Sequence, residues 1–336
     1  GVGRGADVAG VGSEPETTGV QDEVDATLSG IGGGPGGGLG NGLADGIADG
    51  IADGIGGSDL PMADLPAGAA FGTLVHTVLE RVDTSVPDLD AEVRRRCHDA
   101  GAARVGGVDP ARLATALGAV LTTPLGPTAG GRALREVAPA DRLAELEFEL
   151  PLAGGDVPSG PGPTVALLAD LLREHLDPGD PFRPWADRLA TSSFAGTRLC
   201  GYLTGSLDAV LRVRGDDGTD ARYLVVDYKT NRLRPPGERL TAADYRPAAL
   251  VAAMADADYP LQLLLYLVAL HRFLRWRLPG YDPDRHLGGG LYLFVRGMSG
   301  PTTPVLDGAP AGVLAWRPPG SLVAALSTFL DGGGAP

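Results

Sequence analysis

Asp227 and Lys229 stand two residues apart in ARYLVVDYKT (residues 221–230), a run rich in β-forming residues. In a strand, side chains two apart project from one face, so this carboxylate and ammonium sit together while Val226 and Tyr228 point the other way. Asp208 lies in the preceding run GYLTGSLDAVLRVR (201–214), with RGDDGTD as turn material between them. The two runs read as a β-hairpin, which can bring Asp208 across from the pair. Two carboxylates converging beside a lysine make a site that a hard cation such as Mg2+ accepts. Such an ion polarises a phosphoryl oxygen and lowers the pKa of a bound water. The ammonium holds or deprotonates that water and stabilises developing negative charge.

A D-x-K triplet by itself is usually a surface ion pair. Composition argues for more here. Of 28 basic residues, 27 are arginine and one, Lys229, is lysine. Where arginine serves almost everywhere, the surviving lysine marks a position that a forked, permanently charged guanidinium does not suit.

Other side chains join this candidate set. His76 lies in FGTLVHTVLERVD (71–83), on the polar stripe of a helix whose apolar stripe is Leu74, Val75, Val78, Leu79 and Val82. Its ordinary alternative is a helix-edge histidine beside Glu80. Glu147 sits in LAELEFELPL (143–152), which alternates as a strand, next to two other glutamates. Gln262 and Tyr266 are four apart on a helical face otherwise filled with leucine, so they need polar partners, either structural or in the site. Arg232, Arg234 and Arg239 follow the lysine, and Arg272, Arg275 and Arg277 end the long helix. Either cluster could grip phosphates or simply be solvated. His271 and His286 have no assigned role.

The elements that must position these groups follow from periodicity. Helical spacing covers about 88–101, 110–122 and 163–176, and YPLQLLLYLVALHRFLRWR (259–277) is a long apolar helix. GGGLYLFVRGM (288–298) reads as a buried strand, followed by a Pro/Gly-rich loop and a helix at 320–330. Strands and helices interleave, which predicts an α/β fold with a mixed central sheet flanked by helices.

Composition bounds the rest. Residues 1–60 hold 20 glycines, ten acidic residues and one basic residue, with no aromatic. Such a segment cannot offset its ordering entropy and is expected to be a disordered acidic linker, its GLADGIADGIADGIGG repeat included. Residues 61–336 form the expected domain. The net charge of −14 divides into −9 for the tail and −5 for the rest, so bulk charge does not draw this chain to nucleic acid. Two cysteines, Cys97 and Cys200, exclude a disulfide framework and four-cysteine zinc or iron–sulfur sites, and are expected to be reduced, packed thiols. There is no GxxxxGK[ST], no run of 18 apolar residues and no signal segment, so the expectation is a cytoplasmic protein without a membrane partner. A start at Gly1 suggests a piece of a longer chain.

FGTLVHTVLE, LEFELPL, GYLTGSLDAVL, YLVVDYKTN, YPLQLLLYLVALHRFLR and YDPDRHLGGGLYLFVRGM, in this order, resemble the C-terminal nuclease domains of RecB-type enzymes, PD-(D/E)xK exonuclease modules. The resemblance spans about residues 65–330, and the last two segments are its most specific parts. It implies a restriction-endonuclease-like fold and Mg2+-dependent hydrolysis of DNA. It implies His76, Asp208, Asp227 and the backbone carbonyl of Tyr228 as metal ligands, Glu147 as an acidic residue of the same site and Lys229 as the catalytic lysine. Gln262 and Tyr266 correspond to the QxxxY element, with Arg232 beside them as a substrate-binding candidate. It further implies a parent chain with an N-terminal helicase region, RecC- and RecD-like subunits, and an interaction with RecA recombinase. The rivals are an AddA-type helicase–nuclease domain and a non-catalytic module that docks a recombinase.

Overall fold

The computed structural model describes residues 60–332, apart from 154, 156–161, 194 and 215–220. The expected linker up to residue 59 and most of the hairpin turn lie outside the described residues.

Three helices come first: α1 (Ala69–Arg81), α2 (Leu89–Asp99) and α3 (Pro110–Thr122). Asp88 and Asp109 cap α2 and α3 with their carboxylates on backbone amides, and Pro110 opens α3 where its missing N–H is harmless. Strand β1 (Arg142–Leu152) is followed by α4 (Val165–His175) and α5 (Arg183–Thr191). The predicted hairpin is β2 (Gly201–Arg214) and β3 (Ala221–Lys229), paired antiparallel with Ala209 opposite Val226. Then come α6 (Pro247–Asp256), α7 (Tyr259–Arg277), the single turn α8 (Pro283–His286) and β4 (Leu287–Phe294).

The region after β4, expected as a loop, holds more than that. It contains a two-stranded ribbon, β5 (Val305–Leu306) with β6 (Ala309–Pro310), and a fifth strand of the main sheet, β7 (Val313–Trp316). Four residues between glycines and prolines are too few to show a period, so β7 was invisible to pattern reading. Helix α9 (Gly320–Leu330) closes the described chain.

The sheet order is β1-β2-β3-β4-β7, antiparallel except for the parallel pair β3–β4. Helices α1–α3 pack on one face and α4–α7 with α9 on the other, giving two cores separated by the sheet. Sandwiching explains why β4 is buried throughout and reads as one apolar run. Among the described residues no single helix is long and apolar enough to cross a membrane. Most of α7 is buried against the sheet and its neighbouring helices.

Two details shape the site. The facing of β2 slips by one residue at Asp208: Leu203, Leu207 and Val210 belong to the α7 core, whereas Ala209 and Leu211 belong to the α1 core. Opposite this point Glu145 has φ 52°, breaking the regular backbone of β1 between the pairs Ala144↔Ala209 and Leu146↔Leu207. At the other end of the sheet, the β3–β4 register shifts at Tyr223/Leu224, and Gly289 adopts φ 85° with Trp316's carbonyl 2.4 Å from where a Cβ would sit. Gly289→Ala should combine left-handed strain with a backbone clash and cost about 3 kcal/mol, read as a lower urea midpoint at an unchanged m-value.

Candidate active site

The site forms where β2 and β3 part company beyond Ala209↔Val226. Alternation along β3 turns Val226 and Tyr228 into the α1 core and leaves Asp227 and Lys229 on the α7 side. Lys229 Nζ lies 3.3 Å from Asp227 Oδ2, and both side chains are only 5% exposed. The pairing expected from their spacing is present. Asp208, at the slip in β2, accepts a hydrogen bond at Oδ2 from the Tyr228 amide (2.7 Å) and lies 3.2 Å by Oδ1 from His76 Nδ1 of α1. The Tyr228 ring stands edge-on to the imidazole, 6.0 Å between centroids, and holds it from the core side.

Electrostatics follow from this packing. Burial works against the imidazolium of His76, but Asp208, with help from Asp227, lifts its pKa to about 9. Burial opposes ionisation of Asp208 too, yet His76, the Tyr228 amide and Lys229 keep it below the usual carboxylate range. His76 therefore holds its proton more tightly in the folded state than in the unfolded chain. Its stabilisation is complete below pH 6.5 and is lost as pH rises through about 9. In the metal-free protein the stability gained over His76→Gln should decline across that window by roughly 2 kcal/mol, measured by denaturant midpoints at a series of pH values.

A small open cleft adjoins His76 and Asp208 and is lined further by Glu80, Glu145, Ser206 and Tyr228; Asp227 and Lys229 are not among its lining residues. Glu147 does not line it. It is exposed on the same strand one step along, opposite Ser206, while Glu145 takes the position at the cleft. Burial and the neighbouring Glu145 carboxylate raise the pKa of Glu80, with a hydrogen bond between the two acids. Sequence reasoning noted both acids and gave neither a role. The signal was present in the β1 alternation but pointed equally to 145 and 147.

Behind Lys229 is a layer that sequence reasoning missed. Its ammonium sits 4.0 Å from the centroid of the Tyr259 ring and 5.9 Å from that of Tyr292. The two rings stack at 15°, and Tyr292, in register with Asp227 across the parallel pair, donates to Gln262 Oε1 (3.0 Å) and to the Tyr259 carbonyl (3.1 Å). Gln262 Nε2 donates to the Tyr266 hydroxyl at 3.2 Å. The partners that Gln262 and Tyr266 required are thus each other and Tyr292, and the pair buttresses the aromatic seat under the lysine. Arg232 is brought elsewhere: its guanidinium binds the carbonyls of Ala63 and Glu238 as a loop brace. Arg234 pairs with Asp244 and Glu238, and Arg272 with Ser327 and Asp331. Cys97 is fully buried in the α1 core, where burial pushes its thiol up to about 12, and Cys200 is half-buried; both are free.

Residues 53–311 match the PD-(D/E)XK nuclease superfamily. The chain belongs to that superfamily. Its relatives include proteins described as RecBCD enzyme subunit RecB. The protein from Mycolicibacterium smegmatis is 47% identical over 332 residues, covering 98% of this chain and 28% of the relative. That from Mycobacterium tuberculosis is 48% identical over 338 residues, with the same two shares. That from Escherichia coli is 31% identical over 270 residues, covering 80% of this chain and 19% of the relative. The chain spans less than a third of the length of these relatives.

PD-(D/E)XK nucleases are metal-dependent, and the donor set here fits a hard divalent ion: one imidazole and two carboxylates, with no thiolate nearby. Among the described residues no three His, Cys, Asp or Glu side chains already surround one point at ligating distance. His76 instead pairs with Asp208, and Asp227 with Lys229, so ligation requires these side chains to exchange partners and His76 to give up its ring proton.

Proposed function

We propose that residues 61–336 are the nuclease domain of a RecB-type helicase–nuclease, a Mg2+-dependent deoxyribonuclease acting in the cytoplasm in double-strand break repair and recombination. The observation that carries this reading is the gathering of His76, Asp208, Asp227 and Lys229, drawn from opposite layers of the fold, where the interior strands β2 and β3 part.

In this reading His76, Asp208, Asp227 and the Tyr228 carbonyl hold Mg2+, with an acid of β1, Glu147 or the cleft-lining Glu145, assisting directly or through water. Bound there, Mg2+ would supply Lewis acidity toward a phosphoryl oxygen and a more acidic water. Lys229 positions that water and counters the negative charge that builds on the phosphoryl oxygens as the P–O bond to the leaving strand breaks. Tyr259 and Tyr292 keep the ammonium in place by cation–π attraction in a poorly hydrated setting. Gln262 and Tyr266 serve through that seat, and Arg232 serves by holding the loop after Lys229.

The excess of acidic over basic groups supports a domain that receives its strand from RecC- and RecD-like subunits and from a helicase region of a longer parent chain. Contact with RecA and a tethering role for the glycine-rich residues 1–60 belong to the same proposal. The test is cleavage of linear DNA by the chain with Mg2+ and with a chelator. Cation-dependent release of nucleotides supports the reading. Tight DNA binding at physiological salt without partners would overturn the hand-over idea, and absence of cleavage would favour the docking-module rival.

A further inference from the structure

The nuclease reading uses only Tyr292 of the motif GGGLYLFVRGM. Near its end the same motif carries Arg296, in a 3-10 turn directly after β4, whose side chain is wholly buried. Its guanidinium is seated among main-chain oxygens from two distant parts of the chain. Nε donates to the Thr230 carbonyl (2.6 Å), the residue after Lys229. One terminal nitrogen donates to the carbonyls of Met62 (2.9 Å) and Leu65 (3.1 Å), and the other to that of Pro66. The Phe71 ring, in the first turn of α1, lies 5.1 Å from the guanidinium carbon.

We propose that Arg296 is a positioning residue that fixes the spacing between the Lys229 end of β3 and the helix carrying His76. The inference rests on the site reading given above. Residues 62–66 lead directly into α1, and His76 is five residues beyond Phe71, about 7.5 Å along the helix axis. Thr230 is covalently next to Lys229, which is itself in register with Phe294, two residues before Arg296. One planar side chain therefore ties both halves of the ligand set to the end of β4. A buried cation is a costly way to fill space, and an apolar side chain would fill it more cheaply. What an apolar residue cannot do is satisfy four inward-turned carbonyls at once, and a forked donor set can. Without it those oxygens seek other donors, residues 62–66 shift, and the His76–Asp208 contact moves with α1.

Arg296→Lys keeps the charge but donates from a single nitrogen, so it cannot bridge Thr230 and the 62–66 carbonyls together. In the 336-residue chain, Mg2+ binding by calorimetry should weaken about tenfold, the half-saturating Mg2+ for cleavage should rise in parallel, and KM for DNA should stay within about threefold. A merely structural residue would lower the melting temperature and the active fraction but leave the Mg2+ dependence of the folded fraction unchanged. Folded Arg296→Lys protein with wild-type Mg2+ binding overturns the proposal. If that variant does not fold, Phe71→Leu decides: cation binding weakened about threefold supports the proposal, and unchanged binding overturns it. Wild-type protein that neither binds Mg2+ nor cuts DNA overturns the site reading and this inference with it. An active wild type beside an indifferent Arg296→Lys overturns this inference alone.

Discussion

Asp227→Ala should lower Mg2+-dependent DNA cleavage by about a thousandfold or more and weaken divalent-ion binding at the same time. Both effects come from one carboxylate. Asp227 is a proposed ligand, and it is the ion-pair partner of an ammonium that is only 5% exposed. Removing it leaves Lys229 buried beside two aromatic rings with its nearest negative charge gone, which costs about 3–5 kcal/mol where the pair is fully desolvated. Cation–π attraction to Tyr259 and the remaining Asp208 place the expected loss at the lower end of that range. Asp227→Asn keeps the shape and one oxygen acceptor, so it should lose as much activity while losing less stability. Nuclease assays, calorimetric cation titration and urea midpoints on the two variants separate these effects. Full activity in folded Asp227→Ala would remove the aspartate from the ligand set.

Lys229→Arg should lose at least about a hundredfold in turnover although it preserves the charge. The ammonium is a compact charge 4.0 Å above the Tyr259 ring, at the end of a strand, with Tyr292 stacked behind. A guanidinium is wider and planar, and in this seat it either displaces the rings or swings out of line with the cleft. Overpacking of this kind typically costs about 1–3 kcal/mol. Lys229→Gln should abolish turnover while leaving calorimetric Mg2+ binding within about threefold of wild type, because the lysine is not a ligand. The contrast between the variants at 227 and 229, one losing ion binding and the other keeping it, distinguishes ligand from water-positioning cation. Near-normal turnover in Lys229→Arg would also end the inference from the lone lysine in an arginine-rich chain.

Much of the frame was legible because its signals are local. The hairpin β2–β3 came from two β-rich runs around a turn, and α7 came from an uninterrupted apolar stretch; α7 matches its expected bounds. The co-facing of Asp227 and Lys229 followed from period two alone. The mixed sheet followed from interleaved elements, whereas its fifth strand did not, since β7 is four residues long and owes its place to pairing with β4. Helices α5 and α6 were also missed: α5 is short and polar, and α6 is alanine-rich without a clear apolar stripe.

The site was legible in its ligands and not in its supports. Tyr259 and Tyr292 are 33 residues apart and meet only when α7 docks across the parallel pair β3–β4. Arg296 and Met62 are separated by 234 residues. No window of sequence contains such contacts. Glu145 was hidden differently: the alternation in β1 offers 145 and 147 equally, and the positive φ that sets Glu145 apart leaves no mark in that pattern.

The one-step slip of β2 at Asp208 divides that strand into two stretches whose inside and outside are assigned separately. From Gly201 to Leu207 the strand pairs with β1 alone, so a residue inserted there would invert side chains only against β1, whereas one inserted beyond Ala209 would disturb β3 and, as far as Leu211, β1 as well. Asp208 stands at the seam, so a length change on the Gly201–Leu207 side leaves its contacts with the Tyr228 amide and the imidazole in place. This gives the centre a tolerance of ragged strand lengths that an evenly pleated ribbon would lack.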